Sequence, residues 1–344
     1  MHCRIELTGK SAGSHFAERH WYSLSPVSIL LLPIAICFGI VVFIRRTLYR
    51  YGILKSVRLN VPVIVVGNLT VGGTGKTPLV LWVVEMLRAA GKQPGIVLRG
   101  YGGHGGDALE AVLGSDEVRL VGDEAMLLAD RAQCPVWTGR NRAVAAQALL
   151  AAYPHCDVIV CDDGLQHYRL ARDLEIAVED ERGHGNGLML PAGPMREPAS
   201  RRVDATVVNS NGPVSRTRRS KVFHMKLSAS GFQRVDGHGG TFEVIEFAGK
   251  RLHAVAGIGN PQRFFELLRS MGLNVTPHAF PDHHTFTSTE LEFNDCDAVL
   301  MTEKDAVKCR AFARQDMYAL RVVAEPDPAF ADVILKVFDG RTPA

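Results

Sequence analysis

The chain has 344 residues, 47% of them hydrophobic and 22% charged, an ordinary globular balance at a length that implies two lobes rather than one core. A net charge of +3 gives no argument for a nucleic-acid partner. The seven cysteines form no C-x-x-C pair and the 13 histidines show no finger spacing, which excludes a disulfide or zinc framework and reads as reduced thiols in a cytosolic compartment.

In chain order, the first unusual stretch is Val27 to Ile44, VSILLLPIAICFGIVVFI, 18 residues without a charge. As a helix it would reach roughly 27 Å at about 1.5 Å per residue, marginal for a bilayer span. Pro33 and Gly39 weaken it further. Arg45, Arg46, Arg50, Lys55 and Arg58 follow, with Tyr49 and Tyr51 among them. The preceding flank is less basic, so the positive-inside rule puts the bulk of the chain on the cytoplasmic side. The arginine-rich flank is no signal-peptide cleavage site. The pattern suits a membrane-seated helix with aromatic and basic residues at the headgroups; a buried core helix is the alternative.

From Val61 onward the texture alternates. VPVIVV (61–66) predicts a strand and TPLVLWVVEMLRAAG (77–91) a helix, with Pro78 in its first turn and Gly91 as its stop. Strands are expected at 95–98, 135–138, 157–161, 174–178 and 205–208, and helices at 123–132 and 141–152. Strands without polar alternation, separated by helices, mark a parallel sheet covered on both faces. NGPVSRTRRSK is polar and basic. KVFHMKL and GGTFEVIEF then read as a two-stranded connector, after which strand–helix alternation restarts as a smaller α/β lobe.

GNLTVGGTGKTP, Gly67 to Pro78, lies between the first strand and the first long helix. Gly72, Gly73 and Gly75 let a backbone curl around phosphate oxygens with successive N–H groups turned inward. Lys76 stands where a lysine reaches the β- and γ-phosphates, Thr77 supplies a hydroxyl for Mg²⁺, and a helix N-terminus follows. The stretch Thr70, Val71, Gly72, Gly73, Thr74, Gly75, Lys76 and Thr77 therefore reads as a nucleotide-phosphate loop, with Thr70 where G-x-x-x-x-G-K-[ST] has glycine; a glycine-rich turn with an incidental lysine is the plain alternative. No [NT]-K-x-D string for guanine occurs; TEKD at 302–305 has its lysine and aspartate adjacent. Val71 stands where partner-dependent ATPases carry lysine.

Acidic groups complete the pattern. DVIVCDDGLQH ends an apolar strand in Asp162 and Asp163, and carboxylates at the C-terminal end of a parallel strand face the ligand crevice and suit Mg²⁺; an ordinary Asp-Asp-Gly turn is the plain alternative. VGDEAMLLADRA puts Asp123 and Glu124 at a helix start, as an N-cap would. LPAGPMREP holds Arg196 and Glu197 in a loop pinned by proline and glycine. PDHH carries His283 and His284 in the second lobe, from which a histidine could meet a carboxylate of the first across a cleft.

VPVIVVGNLTVGGTGKTP, RGYGG, VGDEAMLLA, CDDGLQH, LPAGPMREP, GIGNPQRFF, PDHH and TEKDAVK, in this order, closely resemble the tetraacyldisaccharide 4′-kinase family of lipid A synthesis, from about Pro26 to the C-terminus. The resemblance implies a P-loop NTPase-like, mostly parallel α/β sheet with a smaller C-terminal α/β lobe. It implies ATP- and Mg²⁺-dependent phosphorylation of the 4′-hydroxyl of a tetraacyl glucosamine disaccharide 1-phosphate, at the cytoplasmic face of a Gram-negative inner membrane. It makes Thr70 the family's own letter. Asp123 matches the catalytic base, His283 its partner, Lys76 and Thr77 the phosphate and Mg²⁺ contacts, Asp162 and Asp163 the metal-side acids and Glu197 a further acid near the metal. Glu124, Tyr101, Arg140, His167 and Arg196 are second-shell or substrate candidates. Chemistry alone does not separate His283 from His284. The expected division is an extension at 1–25, a membrane helix and basic flank at 26–60, a kinase core at 61–215, a connector at 216–250 and a C-terminal lobe at 251–344. No nucleic acid and no obligate protein partner is expected. A peripheral ATPase driving a partner, and a nucleotide-binding scaffold without turnover, are the competing classes.

Overall fold

β-branched runs such as VIVVG and ATVVN offer no polar face to water, so they become strands covered on both sides. The structure is a computed structural model that describes residues 20–100, 109–110, 118–210 and 221–339. The chain divides into two compact units, one within residues 18–228 and from Val323 onward, the other Ala229–Val322.

In the first unit the strands are β1 (Val63–Gly67), β2 (Pro94–Leu98), β3 (Leu109–Glu110), β4 (Val136–Thr138), β5 (Val158–Asp162), β6 (Leu174–Asp180), β7 (Ala205–Asn209) and β8 (Lys221–Arg234). Their spatial order is β8-β7-β6-β1-β5-β2-β4-β3, parallel except for the edge strand β3. All five residues of β1, β2, β5 and β7 are buried. The register sets Val66 beside Asp162, so β1 and β5 end at one level and release their loops together. Helix Arg142–Ala152 buries Ala143, Ala145, Ala146 and Leu149 against Val97, Ile159 and Cys161. Helix Lys76–Ala89 packs on β1, β2 and β5 and against helix Asp123–Ala132.

The second unit carries β9 (Leu252–Ala256), β10 (Val275–Ala279), β11 (Ala298–Thr302) and β12 (Met317–Pro326), all parallel in the order β10-β9-β11-β12. Helices Pro261–Ser270 and Glu303–Cys309 accompany them. The boundary between units falls inside β8 and again inside β12. Strand β10 went unread in the sequence because Pro277 and polar neighbours hide it; at a sheet edge a proline loses no ladder bond. The stretch around GGTFEVIEF pairs with β8 at the Phe232–Phe242 bridge and packs Phe247 on Phe232. It then turns into a 3₁₀ helix, Val244–Phe247, closed by a reciprocal Glu243–Glu246 capping box.

The apolar N-terminal run is two helical pieces, Pro26–Leu30 and Leu32–Arg50. The break at Leu31 fits Pro33, which cannot donate into a continuous helix. The second piece has the length and composition of a membrane helix and is almost unburied. Ile34, Ile36, Ile40, Val41, Phe43 and Ile44 are all at least half exposed. The described cysteines are free thiols, and burial pushes Cys134 and Cys309 up to about 12 and Cys161 to about 11.

Gly95 and Leu149 share one space, since a Cβ at Gly95 would lie 2.7 Å from Leu149 Cδ2. Leu149→Ala is expected to cost about 2–5 kcal/mol. Adding Gly95→Ala, destabilising alone, is expected to recover part of that loss by filling the void. Urea unfolding of both single variants and the double variant checks this; strict additivity would refute it.

Candidate active site

The loop between β1 and helix Lys76–Ala89 is shaped by two glycines in the left-handed region, Gly72 at φ 118° and Gly75 at φ 94°, which side chains resist. Thr70 needs no glycine. It is bridged to Met195, Val71 N–H donates to the Pro194 carbonyl at 2.9 Å, and Arg196 N–H donates to the Leu69 carbonyl at 2.7 Å. The PAGPMRE segment thus runs along the entry of the phosphate loop and delivers Arg196 and Glu197 to it.

The two acids at the end of β5 are treated differently. Asp163 takes a left-handed backbone at φ 48°, a conformation aspartate tolerates better than most residues. Its carboxylate lies 3.4 Å from Lys76 Nζ and accepts from Arg196 Nη1 at 3.1 and 3.0 Å. Burial alone would raise its pKa, but Lys76 and Arg196 outweigh that and hold it below the usual carboxylate range. Asp162 is only 2% exposed, and its Oδ1 has no hydrogen-bond partner. Burial, opposed by Lys76 and reinforced by Glu124 and Asp163, pushes it up to about 7. The turn that follows requires Gly164, where a Cβ would lie 2.6 Å from Cys161 Sγ.

Asp123 is 5% exposed at the first position of its helix and accepts from Glu124 N–H at 3.0 Å. Glu124 is close enough to raise the Asp162 pKa, so the helix start and the acid turn share one electrostatic environment. Arg142, two residues beyond the arginine chosen from the sequence, reaches this environment: it is 7% exposed, and its Nη2 donates to the Asp163 carbonyl at 3.3 Å. Burial lowers its pKa, while Cys161 and Asp163 act to raise it. Arg140 is exposed, and Tyr101 lies outside the described residues. Nothing in the string GRNR marks its second arginine over its first.

Glu197, 1% exposed, belongs to a buried network. Arg201 Nη1 pairs with its Oε1 at 3.0 Å, Tyr168 donates to the same oxygen, and Oε2 has no hydrogen-bond partner. Arg201 also pairs with Glu175 at 2.7 Å. His167 is kept neutral: burial, then the charges of Arg142, Arg172, Arg45 and Arg169, lower it to about 4, and its Nε2 is buried without a hydrogen-bond partner.

Within the second unit, His283 adopts φ 61° and donates its N–H to Asp282 Oδ1 at 3.0 Å, an oxygen that also lies 3.5 Å from Lys304 Nζ. His284 is engaged elsewhere. Its Nε2 lies 3.1 Å from Glu290 Oε1, and its ring packs against Phe280 and Phe286. TEKDAVK forms the seat of this loop. Asp305, fully buried, accepts from Gly257 N–H and from the Thr302 hydroxyl and pairs with Lys308 at 2.7 Å, while Lys308 lies over Phe286.

The described residues contain no cluster of three or more metal-ligating side chains. Mg²⁺ that comes with nucleotide takes one or two carboxylates plus phosphates, and Asp162 and Glu197 each keep a buried carboxylate oxygen without a hydrogen-bond partner.

Residues 27–339 match the family described as Tetraacyldisaccharide-1-P 4'-kinase. A tetraacyldisaccharide 4'-kinase of Azoarcus sp. is 50% identical over 332 residues, covering 95% of this chain and 97% of the relative. One of Methylobacillus flagellatus is 47% identical over 325 residues, covering 94% and 95%. A crystal structure of LpxK from Aquifex aeolicus in complex with ATP superposes with a TM-score of 0.80 at 27% identity, covering 91% of this chain and 99% of that one.

The raised Asp162 pKa has a sign that can be checked. Its stabilising contribution is complete below the unfolded carboxylate pKa and is lost as pH rises through about 7. Asp162→Asn in nucleotide- and Mg²⁺-free protein should therefore raise Tm by about 3 °C or more at pH 8.5 and by clearly less at pH 5, where only part of the contribution has been lost. Differential scanning calorimetry at both pH values checks it; equal shifts would refute the buried-charge account.

Proposed function

The chain belongs to the tetraacyldisaccharide-1-P 4'-kinase family, and from that premise we propose how its residues divide the work at a membrane surface. The protein is a lipid kinase of lipid A synthesis that transfers a phosphoryl group from ATP to the 4′-hydroxyl of tetraacyldisaccharide 1-phosphate. The Gly72–Thr77 loop binds the ATP phosphates, and Lys76 exchanges part of its attraction to Asp163 for the transferring group. Asp162 and the Thr77 hydroxyl, with Glu197 Oε2 in support, would hold Mg²⁺, which would supply neutralisation of charge on the phosphate oxygens. Asp163 and Arg196 hold Lys76 in place. Asp123 accepts the proton of the 4′-hydroxyl as its oxygen attacks the γ-phosphorus in line, and His283 is the histidine assigned to the reaction. Positioning and electrostatics supply most of the acceleration in such transfers.

The observation that carries this reading is the ion cluster at the ends of β1 and β5, with Lys76 3.4 Å from Asp163 beside a buried, unpartnered Asp162 oxygen. The choice of His283 over His284 is supported by the Glu290 contact and aromatic packing that engage His284. The exposed apolar side chains of Leu32–Arg50, followed by Lys55 and Arg58, support a seat on the cytoplasmic face of an inner membrane.

Incubation with γ-labelled ATP and tetraacyldisaccharide 1-phosphate should place label in the lipid. Asp123→Asn is expected to lower kcat by about 10²- to 10⁴-fold with ATP binding retained, and full activity would refute the base assignment. The triple substitution I34E/I40E/F43E should abolish flotation with anionic vesicles while leaving ATP binding intact; unchanged flotation would refute the membrane seat.

A further inference from the structure

In a trans peptide, the carbonyl of one residue and the N–H of the next point in opposite directions. Three successive carbonyls of the phosphate loop are each held by a side-chain donor from a different place in the fold. Gly72 O accepts from Asn68 Nδ2 at 3.1 Å, Gly73 O from Arg182 Nη2 at 3.1 Å and Thr74 O from Asn209 Nδ2 at 3.2 Å. Each bond therefore fixes the direction of the following N–H, that of Gly73, Thr74 and Gly75 in turn. Among the described residues, none accepts from those three N–H groups. The Thr74 hydroxyl beside them is buried without a hydrogen-bond partner.

The donors are themselves anchored. Asn68 is fully buried at the end of β1, and its carbonyl accepts from Gln166 Nε2 at 3.0 Å. Asn209 is 4% exposed at the last position of β7. Arg182 is held by Asp180 through bonds of 2.9 and 2.7 Å from Nε and Nη2, with its guanidinium over the Tyr22 ring. The two left-handed glycines are where these donors come closest. A Cβ at Gly72 would lie 3.2 Å from Arg182 Nη2, and one at Gly75 would lie 3.1 Å from Asn209 Nδ2.

We propose that Asn68, Arg182 and Asn209 are positioning residues for ATP, a set of carbonyl clamps that orients the N–H groups of Gly73, Thr74 and Gly75 toward the phosphates before nucleotide arrives. A loop free to rotate its peptides would have to order them on binding, so each clamp acts on nucleotide affinity. The inference rests on the reading of Gly72–Thr77 as the phosphate loop. It assigns these three residues no contact with the acceptor lipid.

The test is calorimetric titration of ATP·Mg²⁺ into the full chain without lipid, alongside kinetics with lipid. Arg182→Gln is expected to weaken ATP binding about tenfold and raise the KM for ATP, with the KM for the lipid unchanged. Arg182→Lys, which keeps the charge and more of the reach than the shorter glutamine amide, should fall between parent and Arg182→Gln. Asn209→Asp, nearly isosteric but turning an acceptor toward the Thr74 carbonyl, should bind ATP more weakly than Asn209→Ala; a packing role alone predicts the reverse order. Should either Asn209 variant fail to fold, the exposed-side Arg182 pair decides the matter. Lys76→Ala separates the two readings. If it loses ATP binding while the Arg182 and Asn209 variants bind like the parent, the clamp proposal is overturned and the phosphate loop stands. If Lys76→Ala also binds like the parent, the phosphate-loop reading fails and takes the proposal with it.

Discussion

Two adjacent carboxylates at the end of a buried strand repel each other, and the first unit is arranged around their unequal treatment. Asp163 turns into the left-handed region and meets Lys76 and Arg196. Asp162 stays in the strand, buried, with one oxygen unpartnered. One acid thus stays charged and holds Lys76. The other is costly to ionise unless a cation comes. The surrounding elements serve this division: helix Arg142–Ala152 brings a buried guanidinium to the Asp163 backbone, and the PAGPMRE segment delivers Arg196 from the far side of the loop.

A similar economy holds in the second unit, where the conspicuous polar motif is structural in its contacts. Asp305 accepts from a backbone N–H and a hydroxyl and pairs with a lysine. Its bond to Gly257 N–H ties the end of β9 to helix Glu303–Cys309, and Lys308 lies over Phe286 just beyond PDHH. His283 is therefore presented by a loop with a rigid base, in a backbone conformation that a β-carbon disfavours. Non-glycine residues in that region tend to persist where the surrounding contacts over-determine them, as they do at Asp163.

Much was legible in the residue string, for identifiable reasons. The parallel sheet showed because β-branched runs such as VIVVG lack alternation. The glycine-rich loop showed because glycines, lysine and threonine sit between a strand and a helix start, and local order of this kind survives folding. Strand β10 did not show because Pro277 contradicts a central strand and only edge placement excuses it. VIEF reads as strand by propensity, yet the Glu243–Glu246 capping box closes it into a turn of helix. The apolar N-terminal run was visible as composition, but its break at Leu31 and the extension of its helix through Arg46 to Arg50 were not.

The amino-acid sequence by itself determined the fold class, the family and a glycine-rich loop between a strand and a helix, because each is a pattern of neighbours along the chain. Only the tertiary structure decided which of two nearby arginines reaches Asp163, since Arg140 precedes the helix and Arg142 opens it. It separated the surroundings of His283 from those of His284. It also chose the donors that hold the loop carbonyls, drawn from Asn68, Arg182 and Asn209 across three strand ends. Those pairings join residues more than a hundred positions apart in two of the three cases, and no local pattern records which distant side chain a backbone carbonyl will meet once the sheet has closed.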